Sequence, residues 1–404
     1  MRPVAASLCI GGAAFFLLAG YEFARSASSS LFIGKYGAGS LPFVMALSPV
    51  GTLAFLYSYG ILLSWLKPRA TLAITTLLSG GGLLACYLLI VENIGWGTAL
   101  LFILREAYIV VLIEQYWSFI DSTLSEKQAQ RYNGPICGFA SIGAIAGSTF
   151  VGFFAKHFGT EVFIVMAAGM ALPAAGFGVL AYRLGGEPSD DYQIPKTNQL
   201  GWSLFSRYQA LSVMFFIIVA TQVISTTLDV RFSLLLEQTK ALTDERTSYL
   251  GFFWTSVNTA SFVLQFAIAP IVLAKLRPTI ILAIIPAVHI VTSGILLIHP
   301  SLFIASIAFL VFKSIDYSIF RAAKELLYLP LPFAARYRSK QLIDAFGYRT
   351  SKGITSIVIA TAREGLHSPS YLYPILAIAA SLLWLVMVIG RLFRSPANRK
   401  DHVS

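Results

Sequence analysis

Basic side chains lie within or at the edges of long apolar stretches of this sequence, where water is scarce. A charge near the centre of a bilayer costs roughly 2.5–3.5 kcal/mol, so such residues pair with each other or face a wet cavity. Guanidinium groups donate paired hydrogen bonds that suit phosphate or carboxylate, and lysine supplies a compact positive charge. The side chains predicted to bind an organic anion are Arg25, Arg105, Arg231, Arg321, Lys324, Arg349 and Lys352. Lys313 also lies in an apolar stretch, but no role is predicted for it.

Carboxylates occupy the same stretches, and inside membrane proteins they form proton relays or ion pairs. Glu22 precedes Arg25 by three residues, and Arg321 precedes Glu325 by four, spacings at which side chains meet on a helix. Pairing is the favoured interpretation of any single residue, because buried charges usually find partners. For the whole set a polar pathway is favoured. The residues predicted to take part in coupling or in charge pairs are Glu22, Glu106, Glu114, Asp229, Asp316, Glu325 and Asp344.

The composition indicates a membrane protein. Only 12% of the 404 residues are charged and 56% are hydrophobic, which leaves no room for a water-soluble domain of ordinary size. The net charge of +11 lies in short loops and the C-terminal tail, so we expect no nucleic-acid partner. The sequence contains no catalytic triad pattern, phosphate-binding glycine loop or paired Cys/His set, and we predict no enzyme activity, cofactor or metal site. Packing roles are predicted for Cys9, Cys86, Cys137 and His289.

Apolar runs predict an all-α membrane protein. A membrane-spanning helix needs about 20 largely apolar residues, and about twelve stretches meet that criterion. The predicted spans are 4–24, 41–65, 71–91, 96–120, 133–155, 162–182, 209–232, 248–273, 279–298, 301–325, 343–362 and 371–392. In the fifth span Gly138, Gly143, Gly147 and Gly152 favour close helix packing over a direct role in binding a solute.

The segment 183–208 divides the chain. It is rich in glycine, proline and polar residues, which indicates a linker between two six-helix bundles at 1–182 and 209–393. Basic loops alternate with loops that are poor in cations, so the positive-inside rule places both termini, the linker and the basic tail 394–404 in the cytoplasm. The second half weakly repeats the first at an offset of about 209 residues, the kind of internal symmetry that transporters show.

Four segments resemble the non-mitochondrial ATP/ADP translocases, the nucleotide transporters of plastids and intracellular bacteria. They are residues 21–50, 105–143, 224–262 and 317–353. The last is the most specific: YSIFRAAKELLYLPLPFAARYRSKQLIDAFGYRTSKG is similar to the family's Y-x-x-F-D-x-x-K-E-x-x-Y-I-P-L followed by I-D-x-x-G-x-R-x-x-K. The matching residues are Tyr317, Phe320, Lys324, Glu325, Tyr328, Pro330, Leu331, Ile343, Asp344, Arg349 and Lys352. The resemblance implies a major facilitator fold with two pseudo-symmetric bundles, and nucleotide antiport.

The sequence departs from that family at several charged positions. Ser28 and Ser233 stand where the family has lysines, so the resemblance leaves ATP/ADP exchange open. Asp316 and Arg321 stand where the family has lysine and aspartate, so the signs of this pair are exchanged. We interpret the chain as a divergent member within the major facilitator fold.

The favoured functional prediction is a secondary active transporter of an organic anion. The resemblance suggests a nucleotide or another phosphorylated metabolite, moved by alternating access, with protons or a counter-transported solute as coupling partner. We expect a monomer in the bacterial inner membrane. The alternatives are a proton-coupled transporter of a neutral or zwitterionic solute, and a non-transporting sensor or assembly protein on this fold. The direction of transport stays open.

Overall fold

The computed structural model describes residues 2–187, 209–328, 343, 347–366 and 370–393, and long helices make up nearly all of this part of the chain. Backbone polar groups in a bilayer must be satisfied internally, which long apolar segments achieve as helices. In chain order the helices are α1 (Arg2–Tyr36), α2 (Leu41–Trp65), α3 (Pro68–Val91), α4 (Gly97–Thr123), α5 (Glu126–Phe158), α6 (Val162–Gly185), α7 (Gln209–Thr239), α8 (Thr243–Val263, continuing to Lys275), α9 (Pro278–Ile298), α10 (Leu302–Ile315, continuing to Tyr328), α11 (Tyr348–Leu366) and α12 (Leu372–Phe393). Each predicted span overlaps one of them, which confirms the predicted fold class.

Ten of these described helices are long and apolar enough to cross a membrane. The other two, α4 and α11, carry more charge than an ordinary span. Arg105, Glu106 and Glu114 lie on α4, and Arg349 and Lys352 lie on α11. The sequence predicts a role in binding or coupling for these five residues. The charges that lower the hydropathy of α4 and α11 therefore belong to the candidate site.

Helices α8 and α10 each contain a π-helical turn within the described residues. In α8 the turn is Leu264–Ile268, and in α10 it is Asp316–Phe320. Such turns insert an extra residue into the helical repeat and frequently occur at functional sites. The turn in α10 therefore alters the direction of the side chains that follow Asp316 relative to those that precede it.

The first of two compact units comprises Met1–Lys196 and Leu236–Thr259. Within it α1 packs on α5, α6 and α4, while α3 packs on α6 and α2 on α4. Glycines allow the closest approach: a Cβ atom at Gly143 would lie 2.2 Å from the carbonyl oxygen of Phe15, and one at Gly147 would lie 2.6 Å from that of Ala19. The predicted packing role holds for these two glycines, whereas the space beside Gly138 is open.

We expect Gly147→Val to destabilise the folded protein, because any side chain at this position would collide with the backbone of α1. Overpacking of this kind costs about 1–3 kcal/mol, so the apparent melting temperature in detergent should fall by several degrees. Gly138→Val is the matched control, since it introduces the same residue into α5 where no atom obstructs it. Equal melting temperatures for the two variants would contradict this packing.

The second compact unit comprises Thr197–Leu235 and Ala260–Ser404. In its described part α9 packs on α12 and α10, and Trp384 is completely buried. His289 lies with its ring centre 5.0 Å from that of Phe312 and 6.3 Å from that of Trp384, an environment that fits the predicted packing role. The predicted bundle boundaries stay a prediction, and residues 188–208 and 394–404 of the linker and tail lie outside the described residues.

Candidate functional site

Glu22 and Arg25 form a buried ion pair on α1. They are 2% and 8% exposed, and an Nη1–Oε1 distance of 3.4 Å joins them across one helical turn. Asn258 of α8 donates a hydrogen bond of 3.2 Å from Nδ2 to the same carboxylate oxygen. The other oxygen, Oε2, is buried and has no hydrogen-bond partner among the described residues. The pairing predicted from the sequence spacing is therefore present, and the carboxylate is only half satisfied.

Two more side chains complete this group, which we call the Glu22 cluster (Glu22, Arg25, Arg105, Trp254 and Asn258). The guanidinium of Arg25 lies over the ring of Trp254, with its central carbon 3.1 Å from the ring centre. Arg105 of α4 donates to the backbone carbonyl of Arg25 at 3.3 Å and reaches the carboxylate of its neighbour Glu106 at 3.3 Å. Both arginines are thus held by protein groups. The structure brings three predicted residues together here and adds Trp254 and Asn258.

Lys313 of α10 is the centre of a second group, in the other unit. Its side chain is buried, and its Nζ donates one hydrogen bond, of 2.9 Å, to Oγ of Ser225 on α7. The rings of Phe309, Phe312 and Tyr317 surround the ammonium at 5.4, 5.8 and 5.5 Å from their centres. An ammonium has three donors, and the described residues occupy only one of them. This lysine is a buried cation with donors to spare.

Carboxylates lie near Lys313 without bonding to it directly. Asp229 lies one turn after Ser225 on α7, and Asp316 lies one turn after Lys313 on α10, which brings both carboxylates close enough to influence the charge of Lys313. The positive charges of Arg321 and Lys324, further along α10, lie near enough to Asp316 to favour the charged form of its carboxylate. We call Ser225, Asp229, Lys313, Asp316 and Tyr317 the Lys313 cluster. Asp316 and Arg321 form no direct ion pair, in agreement with their separation of five residues, and Arg321 is exposed.

The remaining predicted residues are distributed along the described helices. Arg231 is buried on α7, and its Nε has no hydrogen-bond partner among the described atoms. Glu114 is exposed on α4. Asp344 lies outside the described residues. The half-buried members, each with contacts of its own, are Lys324, Glu325, Arg349 and Lys352.

Sequence reasoning assigned no role to the residue at the centre of the second group. The signal for Lys313 was present, because a lysine in the apolar run 301–325 is as unusual as the arginines that were selected. Its partner Ser225 gave no such signal, since serine is common in membrane helices. Among the described residues no group of three or more His, Cys, Asp or Glu side chains is placed to hold a metal ion.

A seam of close contacts joins the C-terminal end of α5 to the N-terminal end of α8. Asp244 accepts hydrogen bonds from the backbone N–H and the hydroxyl of Thr160, at 2.8 and 2.5 Å. Ser248 donates to the carbonyl of Gly152 at 2.7 Å. At Gly251 a Cβ atom would lie 2.3 Å from the backbone nitrogen of Gly152, so the helices are in backbone contact there. We call these five residues the α5–α8 seam.

Known structures share the arrangement of helices. The nucleoside transporter NupG aligns with a TM-score of 0.70 at 12% identity, over 97% of this chain and 100% of that one. The POT family transporter PepTSo aligns at 0.64 and 14%, over 96% and 99%, and a D-xylose-proton symporter at 0.65 and 14%, over 94% and 96%. No family model matches the sequence, and no curated protein matches it. At these identities the similarity concerns the fold alone, and we conclude that the chain shares the all-helical fold of these structures.

Proposed function

We propose that the protein is a secondary active transporter that moves an organic anion across the bilayer by alternating access. The observation that carries this proposal is Lys313, a buried ammonium that donates one hydrogen bond to the described residues, on a fold that known transporters of several solutes share. Taking a cation out of water is costly unless hydrogen bonds or an opposite charge offset the loss. Three aromatic rings supply part of the compensation through cation–π attraction. An anionic group of the substrate would supply the rest.

The roles of the basic residues then differ. Arg25 binds Glu22 and stacks on Trp254, and Arg105 donates a hydrogen bond to the backbone of α1. These two arginines therefore stabilise the packing of the first unit and are not the main contacts to the solute. Lys313 has two donors that no described residue occupies, and it forms the primary contact to phosphate or carboxylate. A nucleotide or another phosphorylated metabolite is the favoured cargo because of the resemblance to the ATP/ADP translocases, and the solved nucleoside transporter has the same fold.

A zwitterionic solute is the second candidate. Lys313 and Asp316 lie one turn apart on the same helix, with opposite charges and no direct bond between them. A solute with an ammonium and a carboxylate would match both charges. A sensor without transport activity would also bind such ligands, and uptake into vesicles distinguishes it.

A ligand screen tests the proposed substrate class. The purified protein would be heated with nucleotides, sugar phosphates, organic acids, amino acids and neutral sugars, and its melting temperature recorded. A ligand present at 100 times its dissociation constant adds about 2.7 kcal/mol to stability, which is easily seen. We expect stabilisation by one class of phosphate or carboxylate anion. Stabilisation by neutral sugars alone would contradict the proposal, and amino acids alone would select the zwitterionic alternative.

The proposed orientation has both termini and the 183–208 segment in the cytoplasm. With the three native cysteines replaced, we expect Ser189→Cys and Ser404→Cys to resist a membrane-impermeant maleimide in intact cells and to react after the membrane is opened. Asn93→Cys, in the exposed turn between α3 and α4, is the matched control and should react from outside. Reaction of either test position in intact cells would overturn the orientation.

In this orientation the α5–α8 seam lies at the outer end of the transport pathway. Helix α5 begins in the cytoplasm and α8 begins outside, so their contacting ends face the exterior. Alternating access requires that this seam part in one half of the cycle and close in the other.

A further inference from the structure

Helix α7 presents more polar side chains to the Lys313 cluster than Ser225 alone. Gln222, Thr226 and Asp229 follow one another at spacings of four and three residues, which places them on the same side of the helix as Ser225. Gln222 and Thr226 are 1% and 2% exposed. Neutral hydrogen-bonding groups therefore lie on the helix face that holds the buried ammonium.

Tyr348 of α11 extends this polar surface. A side-chain hydrogen bond joins it to Gln222, and it lies close enough to Lys313 and Asp316 to interact with both charges. Asp316 and Tyr348 are half-buried, whereas Lys313 and Gln222 are buried. The group is thus accessible at its edge, and it combines one cation with amide, hydroxyl and carboxylate groups.

The hydroxyl of Thr226 has no hydrogen-bond partner among the described residues. A threonine in a helix can bond the carbonyl three or four residues earlier, as Thr221 does to Ile218 and Thr227 does to Val223, both at 2.7 Å. Thr226 does not make this bond, so its hydroxyl is available to a group outside the helix. A buried hydroxyl that stays unpaired is costly, and a polar group of a bound solute would complete it.

The charges that act on Lys313 limit how negative the solute can be. They are the carboxylates of Asp229 and Asp316. One anionic group of a solute is attracted to the ammonium, but the additional charges of a polyanion would lie close to these carboxylates and be repelled. Hydroxyl groups of the solute would instead donate hydrogen bonds to them.

We propose that the transported solute is a hydroxyl-bearing organic anion with a single anionic group, such as a sugar acid or a sugar monophosphate, and that Gln222 and Thr226 bind its hydroxyls. The anionic group contacts the two donors of Lys313 that no described residue occupies. Other hydroxyls of the solute donate to Asp316. This inference narrows the substrate class of the proposed transport function, on which it rests.

Matched pairs of anions test the inference on wild-type protein. D-gluconate and hexanoate are carboxylates of equal chain length and charge, and glycerol phosphate and propyl phosphate are the corresponding phosphate esters. A site that bonds hydroxyls rejects an analogue without them, because its own polar groups are left unpaired. From melting-temperature titrations we expect the hydroxyl-bearing member of at least one pair to bind more tightly than its partner, by about ten-fold or more. D-glucarate, which adds a second carboxylate to gluconate, should bind less tightly than gluconate.

Thr226→Val removes the hydroxyl and keeps the shape of the side chain. We expect it to weaken binding of the hydroxyl-bearing anion about ten-fold and to leave the affinity for the hydroxyl-free partner within about two-fold of wild type. The melting temperature without ligand should not fall, because this hydroxyl has no partner among the described residues. Thr227→Val is the matched control and should keep the selectivity, since its hydroxyl is bonded within its own helix.

Three results would overturn the inference while an anion transporter stands. They are no preference by wild type within either pair, selection by the ligand screen of an anion with several anionic groups or without hydroxyls, and unchanged selectivity in Thr226→Val. Absence of stabilisation by every anion in the screen would instead remove the proposed function.

Discussion

Replacing Lys313 with methionine is expected to weaken binding of the transported anion by about 10- to 100-fold. A hydrogen bond to a charged group contributes about 1.5–3 kcal/mol, and each 1.4 kcal/mol is a factor of ten in affinity. Methionine has similar length and flexibility, so it fills the space between Phe309, Phe312 and Tyr317 without the ammonium. The measurement is the shift in melting temperature as a function of anion concentration.

Two other variants make this result specific. Lys275→Met removes a lysine from the exposed end of α8 and should leave affinity unchanged, which controls for the loss of one positive charge from the protein. Ser225→Ala removes the one hydroxyl that holds Lys313 and should weaken binding less, because the charge remains. Wild-type affinity in Lys313→Met would show that this cation serves only to balance Asp229 and Asp316.

Introducing leucine at Gly251 is expected to stop transport while leaving the protein folded. The first carbon of any side chain there would lie 2.3 Å from the backbone of Gly152, so α5 and α8 cannot close on each other. A transporter that cannot close this seam completes no cycle, and uptake should fall at least ten-fold. Binding of the anion should persist, because the Lys313 cluster is not altered.

Accessibility shows whether the seam is the element affected. In a background without the native cysteines, Thr255→Cys places a thiol half buried one turn behind Gly251. We expect an impermeant maleimide to label it from outside faster in the Gly251→Leu background than in wild type. Gly294→Leu, which enters open space on α9, should change neither labelling nor uptake. Normal uptake by Gly251→Leu would show that the seam does not move during transport.

The helices were predictable because apolar runs of sufficient length leave the backbone few alternatives. The second span was predicted at 41–65, and α2 is Leu41–Trp65. The first was predicted to end at residue 24, yet α1 continues to Tyr36. The run of serines after Arg25 lowers hydropathy, yet the helix continues through it. Ser28 donates a hydrogen bond to the carbonyl of Arg25 at 3.2 Å, whereas the buried hydroxyls of Ser26 and Ser30 have no hydrogen-bond partner among the described residues. Tertiary packing then buries the segment.

The candidate site was predictable only where its contacts are local in sequence. The bond between Glu22 and Arg25 follows from a spacing of three residues on one helix. Asn258 is 236 residues from Glu22, so their hydrogen bond depends on which helices meet in space. The partnership of Lys313 with Ser225, across 88 residues, depends in the same way on the packing of α7 against α10. A single sequence lacks that information.

Uptake by purified wild-type protein in proteoliposomes tests the central claim most directly. A radiolabelled anion chosen by the ligand screen would be presented to vesicles with protein, with Lys313→Met protein and with none. We predict saturable uptake by wild type that unlabelled anion competes with, and uptake by Lys313→Met near the level of protein-free vesicles at the same concentration. Binding of the anion without any uptake above protein-free vesicles, or uptake by Lys313→Met equal to wild type, would contradict an anion transporter built around Lys313.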